Sequence, residues 1–349
     1  MYFNVYADFG GEIHGYLIPD GFSAKPRIMT LAHGKTLGPF ACDVFLEGPY
    51  KHKHHETGIV GFVLDEGKVP GINNAFDIEI SDAETGFVFY RRLRPGLHIE
   101  QRIFRLETQF VPHRELDLSL KPHFQFYADG AERYGAETVR QMLEISRQPS
   151  VYVSGRVMLK SVQGYFTDDL IRIASLRDPF YELAIRLWII AGFKRRQFSF
   201  LPERDAMLFE PAIGYFGDMN FSDPAEIKNK IKYAPKDILA LFESPFTHQI
   251  VASSPTDKVS REAVSGALDA LSQFTIFSAN ETDSSLATDI GELIGIKDNS
   301  IHFTPVRPLF LEIASILRGI QTLEQVLEND LILFYFIKKA EGRLQGEGD

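Results

Sequence analysis

The stretch VYVSGRVMLKSVQGYFTDDLIRIASLRDPFYELAIRL, Val151 to Leu187, decides how the chain is read. Val151 to Ser154 and Leu170 to Leu176 are short apolar runs of the kind that form fully buried strands. Arg177-Asp178 then leads into Pro179, whose fixed φ and missing N–H suit the first position of a helix running to Ala191. Strand followed by helix, repeated, predicts a mostly parallel sheet covered by helices on both faces.

Moving outward, Ala131 to Ser146 has apolar residues at helical spacing. Downstream, Asp223-Pro224 opens a helix to about Tyr233 and Pro235 another to Phe242. Lys258 to Ser272 is amphipathic, Phe274 to Phe277 is a short strand, and Thr282 or Asp283 caps a helix to Ile294. Pro308 to Ile320 and Thr322 to Ala340 read as closing helices, with a polar tail from Glu341 expected to fray. Up to about Arg92 the pattern is different. Short β-runs (Tyr2 to Tyr6, Ile13 to Ile18, Arg27 to Leu31, Phe40 to Leu46, Gly58 to Leu64, Phe76 to Ile80, Phe87 to Tyr90) alternate with Gly, Pro, Asn and Asp turns, and no amphipathic helix interrupts them. The expected fold is therefore α/β with an added all-β domain: a β-sandwich over residues 1–92, then an α/β domain over 93–349.

The length of 349 residues suits two domains, and 44% apolar with 24% charged residues suits ordinary folded cores. A net charge of −10 argues against a protein that neutralises nucleic acid or an anionic membrane. The single cysteine, Cys42, excludes an intramolecular disulfide and a multi-cysteine zinc site, and it reads as a buried structural residue. The longest apolar stretches fall short of the roughly 18 residues that span a bilayer. The N-terminal residues lack a positive n-region and a continuous apolar core, so no membrane crossing and a cytoplasmic location are expected.

The Val151 to Leu187 stretch resembles the middle of carbohydrate-type sulfotransferases, where a strand ends in a small residue and Gly and a later strand runs into Arg-Asp-Pro and a helix. Leu268 to Ile296, with an acidic turn at Glu281, and Thr322 to Ala340 resemble that family's late strand and closing helices, in the same order. The resemblance implies a P-loop-like sulfotransferase fold and 3′-phosphoadenosine-5′-phosphosulfate as co-substrate, without a metal. It places Arg177 on the donor's 3′-phosphate, where an arginine fork beside a helix N-terminus binds phosphate well. It places Thr108 at the hydroxyl position of the donor loop and turns Arg156 and Lys160 toward the cleft. Glu107 is the candidate base for an acceptor hydroxyl. Gly10 to Glu66, with Gly15-Tyr16, Gly34, Ala41, Asp43-Val44 and Gly61-Phe62, resembles a β-sandwich module of bacterial surface-polysaccharide enzymes. A glycan or polysaccharide acceptor and polysaccharide-assembly proteins are the implied partners.

Departures from the family pattern carry equal weight. The donor loop after the first strand of such a domain needs a lysine and glycines to neutralise the transferring group. Here Arg102 to Leu106 runs into Glu107-Thr108-Gln109-Phe110-Val111-Pro112, with Glu107 at the lysine position. The serine that would share the 3′-phosphate is Ile185. Lys35-Thr36 offers a superficial substitute but sits before a β-run with Pro39 nearby, so it reads as a hairpin turn. His52, His54 and Glu56, in a segment that also carries Lys51 and Lys53, read as a solvated loop rather than a metal site, and Lys194-Arg195-Arg196 as a solvated helix end. Two functions remain: sulfuryl transfer to a glycan hydroxyl in surface or exopolysaccharide biosynthesis, or a non-catalytic glycan-binding or assembly protein that keeps the fold without the donor loop.

Overall fold

The structure is a computed structural model, which describes residues 1–349 apart from 146–147, 197, 202, 280–283, 297–299 and 347–349. The chain divides into two compact units, one of residues 1–104, 120–153 and 165–170, the other of residues 105–119, 154–164 and 171–349.

In the first unit, β1 (Tyr2–Asp8), β2 (Ile13–Ile18), β3 (Arg27–Ala32), β4 (Lys35–Ala41) and β5 (Val44–Phe45) precede a one-turn helix, α1 (Glu47–Lys51). β6 (Ile59–Leu64), β7 (Glu79–Asp82) and β8 (Val88–Arg91) follow. They build two antiparallel sheets, β1-β2-β6-β5 and β4-β3-β7-β8. Alternation places Phe3, Ile13, Phe62, Ile80 and Phe89 in the core, and the Phe89 ring packs at a tilt against Phe3 and Phe62, with centroids 5.7 Å and 6.1 Å away, joining the two sheets. His33 and Gly34, both at positive φ, make the β3–β4 turn, so Lys35-Thr36 belongs to a hairpin as its sequence suggests.

Close backbone approach is what Gly15 supplies. A Cβ there would lie 2.7 Å from the Asn4 carbonyl oxygen of the neighbouring strand and within 3.0 Å of the fully buried Phe62 ring. Gly15→Ala is expected to lower stability by about 1–3 kcal/mol through overpacking, read as a fall in the urea midpoint at unchanged slope.

After β8 the chain forms β9 (Arg102–Leu106), α2 (Arg114–Leu120), β10 (Phe126–Ala128), α3 (Ala136–Glu144), β11 (Val151–Gly155), α4 (Leu159–Val162), β12 (Leu170–Leu176) and α5 (Pro179–Gly192). A helical stretch follows: α6 (Glu203–Leu208), α7 (Glu210–Phe216), α8 (Pro224–Lys232), α9 (Lys236–Ala240), α10 (Pro245–Val251) and α11 (Ala263–Leu271). The chain closes with β13 (Ile276–Ala279), α12 (Ser284–Ile294), α13 (Pro308–Arg318), α14 (Gln321–Val326) and α15 (Glu328–Gly346). The five strands form one sheet of order β10-β11-β9-β12-β13, with β10 parallel to β11 and β12 parallel to β13. The predicted α/β architecture with an added antiparallel β region is present. Beneath the second unit's surface, Leu183, Leu187 and Ile190 of α5 share a buried core with Phe216, Ala314 and Leu317.

Several sequence expectations are corrected. Phe40 to Leu46 is not one strand: β4 and β5 lie in different sheets, and the chain crosses between them at Cys42-Asp43. The one-turn α1 buries none of its residues, so it is not an amphipathic helix within the β-region. Strand Phe76 to Ile80 begins only at Glu79, and the strand read at Phe274 begins at Ile276. The amphipathic run from Lys258 is helical only from Ala263. Thr322 to Ala340 is broken into α14 and α15 because the Val326 carbonyl turns to accept from the Ser244 amide. α15 continues to Gly346 instead of fraying at Glu341. Glu281, Thr282 and Asp283 lie outside the described residues. No helix among the described residues is long and apolar enough to cross a membrane.

Candidate functional site

The chain enters the five-stranded sheet at its centre, β9, then fills one side with β10 and β11 and the other with β12 and β13. The connections leaving β9 and β12 therefore diverge, and a crevice at the carboxyl ends of such neighbours is where open α/β sheets bind ligands. Glu107 and Thr108 follow β9, Arg156 follows β11, and Arg177 follows β12, so four of the five sequence-predicted residues lie at the ends of three adjacent strands. The Thr108 hydroxyl donates to the carbonyl of Ser175, joining the β9 and β12 ends directly. Lys160 does not directly follow a strand and is solvent-exposed on α4.

Residues 107–113 form a loop whose polar groups are satisfied by the protein itself. The Glu107 carboxylate is 2% exposed. It accepts from the Gln109 amide at 3.1 Å, the His113 amide at 2.7 Å and Arg105 Nη1 at 3.0 Å. The Phe110 amide donates to Glu182 Oε1 at 2.7 Å, which also accepts from Arg186 Nε at 2.9 Å. Gln249 Nε2 holds the far side of the loop through the carbonyls of Glu107 and Val157. Backbone amides that would face an anion in a donor loop are thus held by carboxylates of the same chain.

Arg105 is the hub beneath the loop. Besides Glu107, its Nη2 donates to both oxygens of Asp117 at 2.9 Å, and Ser154 Oγ adds a bond to Asp117 at 2.8 Å. Burial pushes the Glu182 carboxyl up from its ordinary range, with the charges of Arg186 and Arg177 acting against it. The same burial pushes the Arg186 guanidinium down. Arg156 donates to the Phe110 carbonyl at 2.9 Å, pairs with Asp205 and lies over the Phe110 ring at 5.0 Å.

Arg177 is 4% exposed, 5.9 Å from the Tyr181 ring, with Nη2 3.4 Å from the Thr304 carbonyl oxygen. Beside it Asp178 caps α5, accepting from the Phe180 and Tyr181 amides at 3.0 Å each. Asp178 also pairs with Arg318 at 2.6 Å. The helix terminus that would offer free donors to a phosphate is occupied by this carboxylate. Ile185 is buried in the α5 core.

Sequence reasoning missed Arg105, Asp117, Glu182, Arg186 and Asp205. A signal for some was present: Arg105 within β9 and Glu107 just after it are two residues apart, the spacing that shares one side of an extended chain, and Glu182 and Arg186 are spaced i,i+4 in an otherwise apolar helix. Of the remaining clusters, His52 and His54 rings lie 6.1 Å apart, while His55 is buried and bonds the Ala24 carbonyl. Among the described residues no group of three His, Cys, Asp or Glu side chains is placed to hold a metal ion. Lys194, Arg195 and Arg196 are exposed just past α5. Cys42 is buried, and burial pushes its thiol up to about 12, which disfavours the thiolate at neutral pH. No protein-family model matches the chain, and no curated protein matches it.

Proposed function

We propose that the protein is a sulfotransferase-like, non-catalytic member of a bacterial surface- or exopolysaccharide assembly system, which keeps the α/β fold and binds glycan without using the phosphosulfate donor. The observation that carries this reading is the occupation of the 107–113 loop amides by Glu107 and Glu182. An incoming phosphosulfate would have to displace both carboxylates and then sit beside them. The cluster's orphaned polar atoms point the same way. Gln109 Oε1 and Glu182 Oε2 are buried acceptors without a hydrogen-bond partner among the described residues, so they lack a donor rather than an anion.

A second reading is favoured by the gathering of Glu107, Thr108, Arg156 and Arg177 at adjacent strand ends. In it, 3′-phosphoadenosine-5′-phosphosulfate lies with its 3′-phosphate on Arg177. The acceptor hydroxyl passes its proton to Glu107 as its oxygen bonds to sulfur, and the bond from sulfur to the 5′-phosphate oxygen breaks.

Calorimetry with 3′,5′-adenosine bisphosphate separates the two. No heat beyond dilution at millimolar nucleotide is the result expected of the non-catalytic protein. Micromolar binding that disappears in Arg177→Ala overturns it in favour of sulfuryl transfer.

A further inference from the structure

Outside the strand-end cluster, the first unit holds an open cleft of about 420 Å³ lined by Tyr6, Asp8, Asn73, Phe76, Tyr90 and Gln125, among others. We propose that this cleft is the glycan subsite, taking a neutral pyranose ring of an oligosaccharide. The proposal rests on the glycan-binding reading for its class of ligand and on the following geometry for its location.

Exposed aromatic side chains lie on and beside the cleft lining. Phe76, which lines the cleft, is 72% exposed, and Phe9, set between the lining residues Asp8 and Gly10, is 74% exposed. Rings left this bare cost hydration free energy unless something covers them, and the axial C–H face of a sugar ring is a surface that an aromatic ring covers well. Polar groups converge beneath. Gln125 is 3% exposed and lines the cleft, and its Oε1 is a buried acceptor with no hydrogen-bond partner among the described residues, which a sugar hydroxyl would satisfy as donor once the side chain turns toward the cleft. Asn73 adds a second amide to the lining.

Charge selects a neutral ligand. Arg92 spends its donors inside the protein: Nε and Nη2 go to Asp8, Nη2 also to the Gly10 carbonyl, and Nη1 to the carbonyls of Ile72 and Ala75. Asp8 accepts in addition from the Tyr90 hydroxyl at 2.7 Å and the Gly10 amide at 2.9 Å. Burial alone pushes the Asp8 carboxyl up, but these bonds from Arg92, Tyr90 and Gly10 hold it below its ordinary range. The one ion pair in the cleft is therefore internally satisfied and offers an anionic or cationic ligand no free partner. What remains for a ligand is amide and aromatic chemistry, the combination that reads a neutral polyol.

The test is saturation-transfer NMR on the full chain with cellotetraose, maltotetraose, chitotetraose and a β-1,3-linked glucan tetramer as probes, followed by titration of those that respond. At least one is expected to bind, with its dissociation constant raised tenfold or more by Phe76→Ala and left unchanged by Phe22→Ala, which removes an exposed ring that does not line the cleft. Both rings are mostly solvent-facing, so both variants fold. Binding that survives Phe76→Ala overturns the cleft and leaves the glycan reading standing. Absence of transfer to all four probes overturns both.

Discussion

Arg105→Met is expected to lower the stability of the protein by about 3–5 kcal/mol, because removing one partner of a buried ionic group leaves the other charges uncompensated. Arg105 is 3% exposed and faces two carboxylates, Glu107 at 2% and Asp117 at 3% exposure. The carboxylate oxygens retain the Gln109 and His113 amides and the Ser154 hydroxyl, but three neutral donors do not replace a guanidinium that reaches both acids. Arg105→Lys keeps the charge and loses the fork, so an intermediate loss is expected. Removing Arg105 and Asp117 together, with Met and Leu in their places, is expected to cost less than the sum of the single changes. Urea unfolding of wild type, Arg105→Met, Asp117→Leu and the double variant measures this, and additive losses would contradict a shared network.

Asp330→Asn is expected to change how stability depends on pH. Asp330 is completely buried in α15, where Oδ1 accepts from the Thr247 amide at 2.7 Å and its hydroxyl at 2.8 Å, and Oδ2 from the Phe246 amide at 3.0 Å. Burial pushes its carboxyl up to about 6, against those bonds and the Arg186 charge. A carboxyl with a raised folded value holds its proton more tightly in the native state than in the unfolded chain. Its stabilising contribution is therefore fully present below about pH 4 and is lost as pH rises through about 6, by on the order of 3 kcal/mol. Whatever the offset between wild type and Asp330→Asn at pH 7, wild type gains on the variant as the pH falls to 4.5. Parallel urea midpoints across that range would refute the assignment.

What the sequence revealed and what it concealed follow a physical division. Helix starts set by one side chain were readable: Asp178 before Pro179 and Asp223 before Pro224 both cap as their chemistry demands. The strand Leu170 to Leu176 was readable from a mostly apolar run, although Arg172 and Ser175 interrupt it. Partner identity was not. Phe40 to Leu46 looks continuous because both halves have β-forming residues, and nothing local records that they pair in different sheets. Likewise the break between α14 and α15 depends on Ser244, far away in sequence. At the strand-end cluster, the types at Glu107, Thr108, Arg156 and Arg177 were visible, but not the use of the acids. Glu107 reads in isolation as a charge facing a ligand; only the positions of Arg105 and the returning Gln109 and His113 amides make it an internal brace.

The two-residue β5 and the Lys35- and Pro39-bearing β4 lie at sheet borders. A ladder that short, and another missing an N–H at its proline, give a neighbouring molecule little backbone on which to dock a further strand. High concentrations of the folded protein should accordingly stay free of fibrillar growth from these two borders, whatever happens to its unfolded chains.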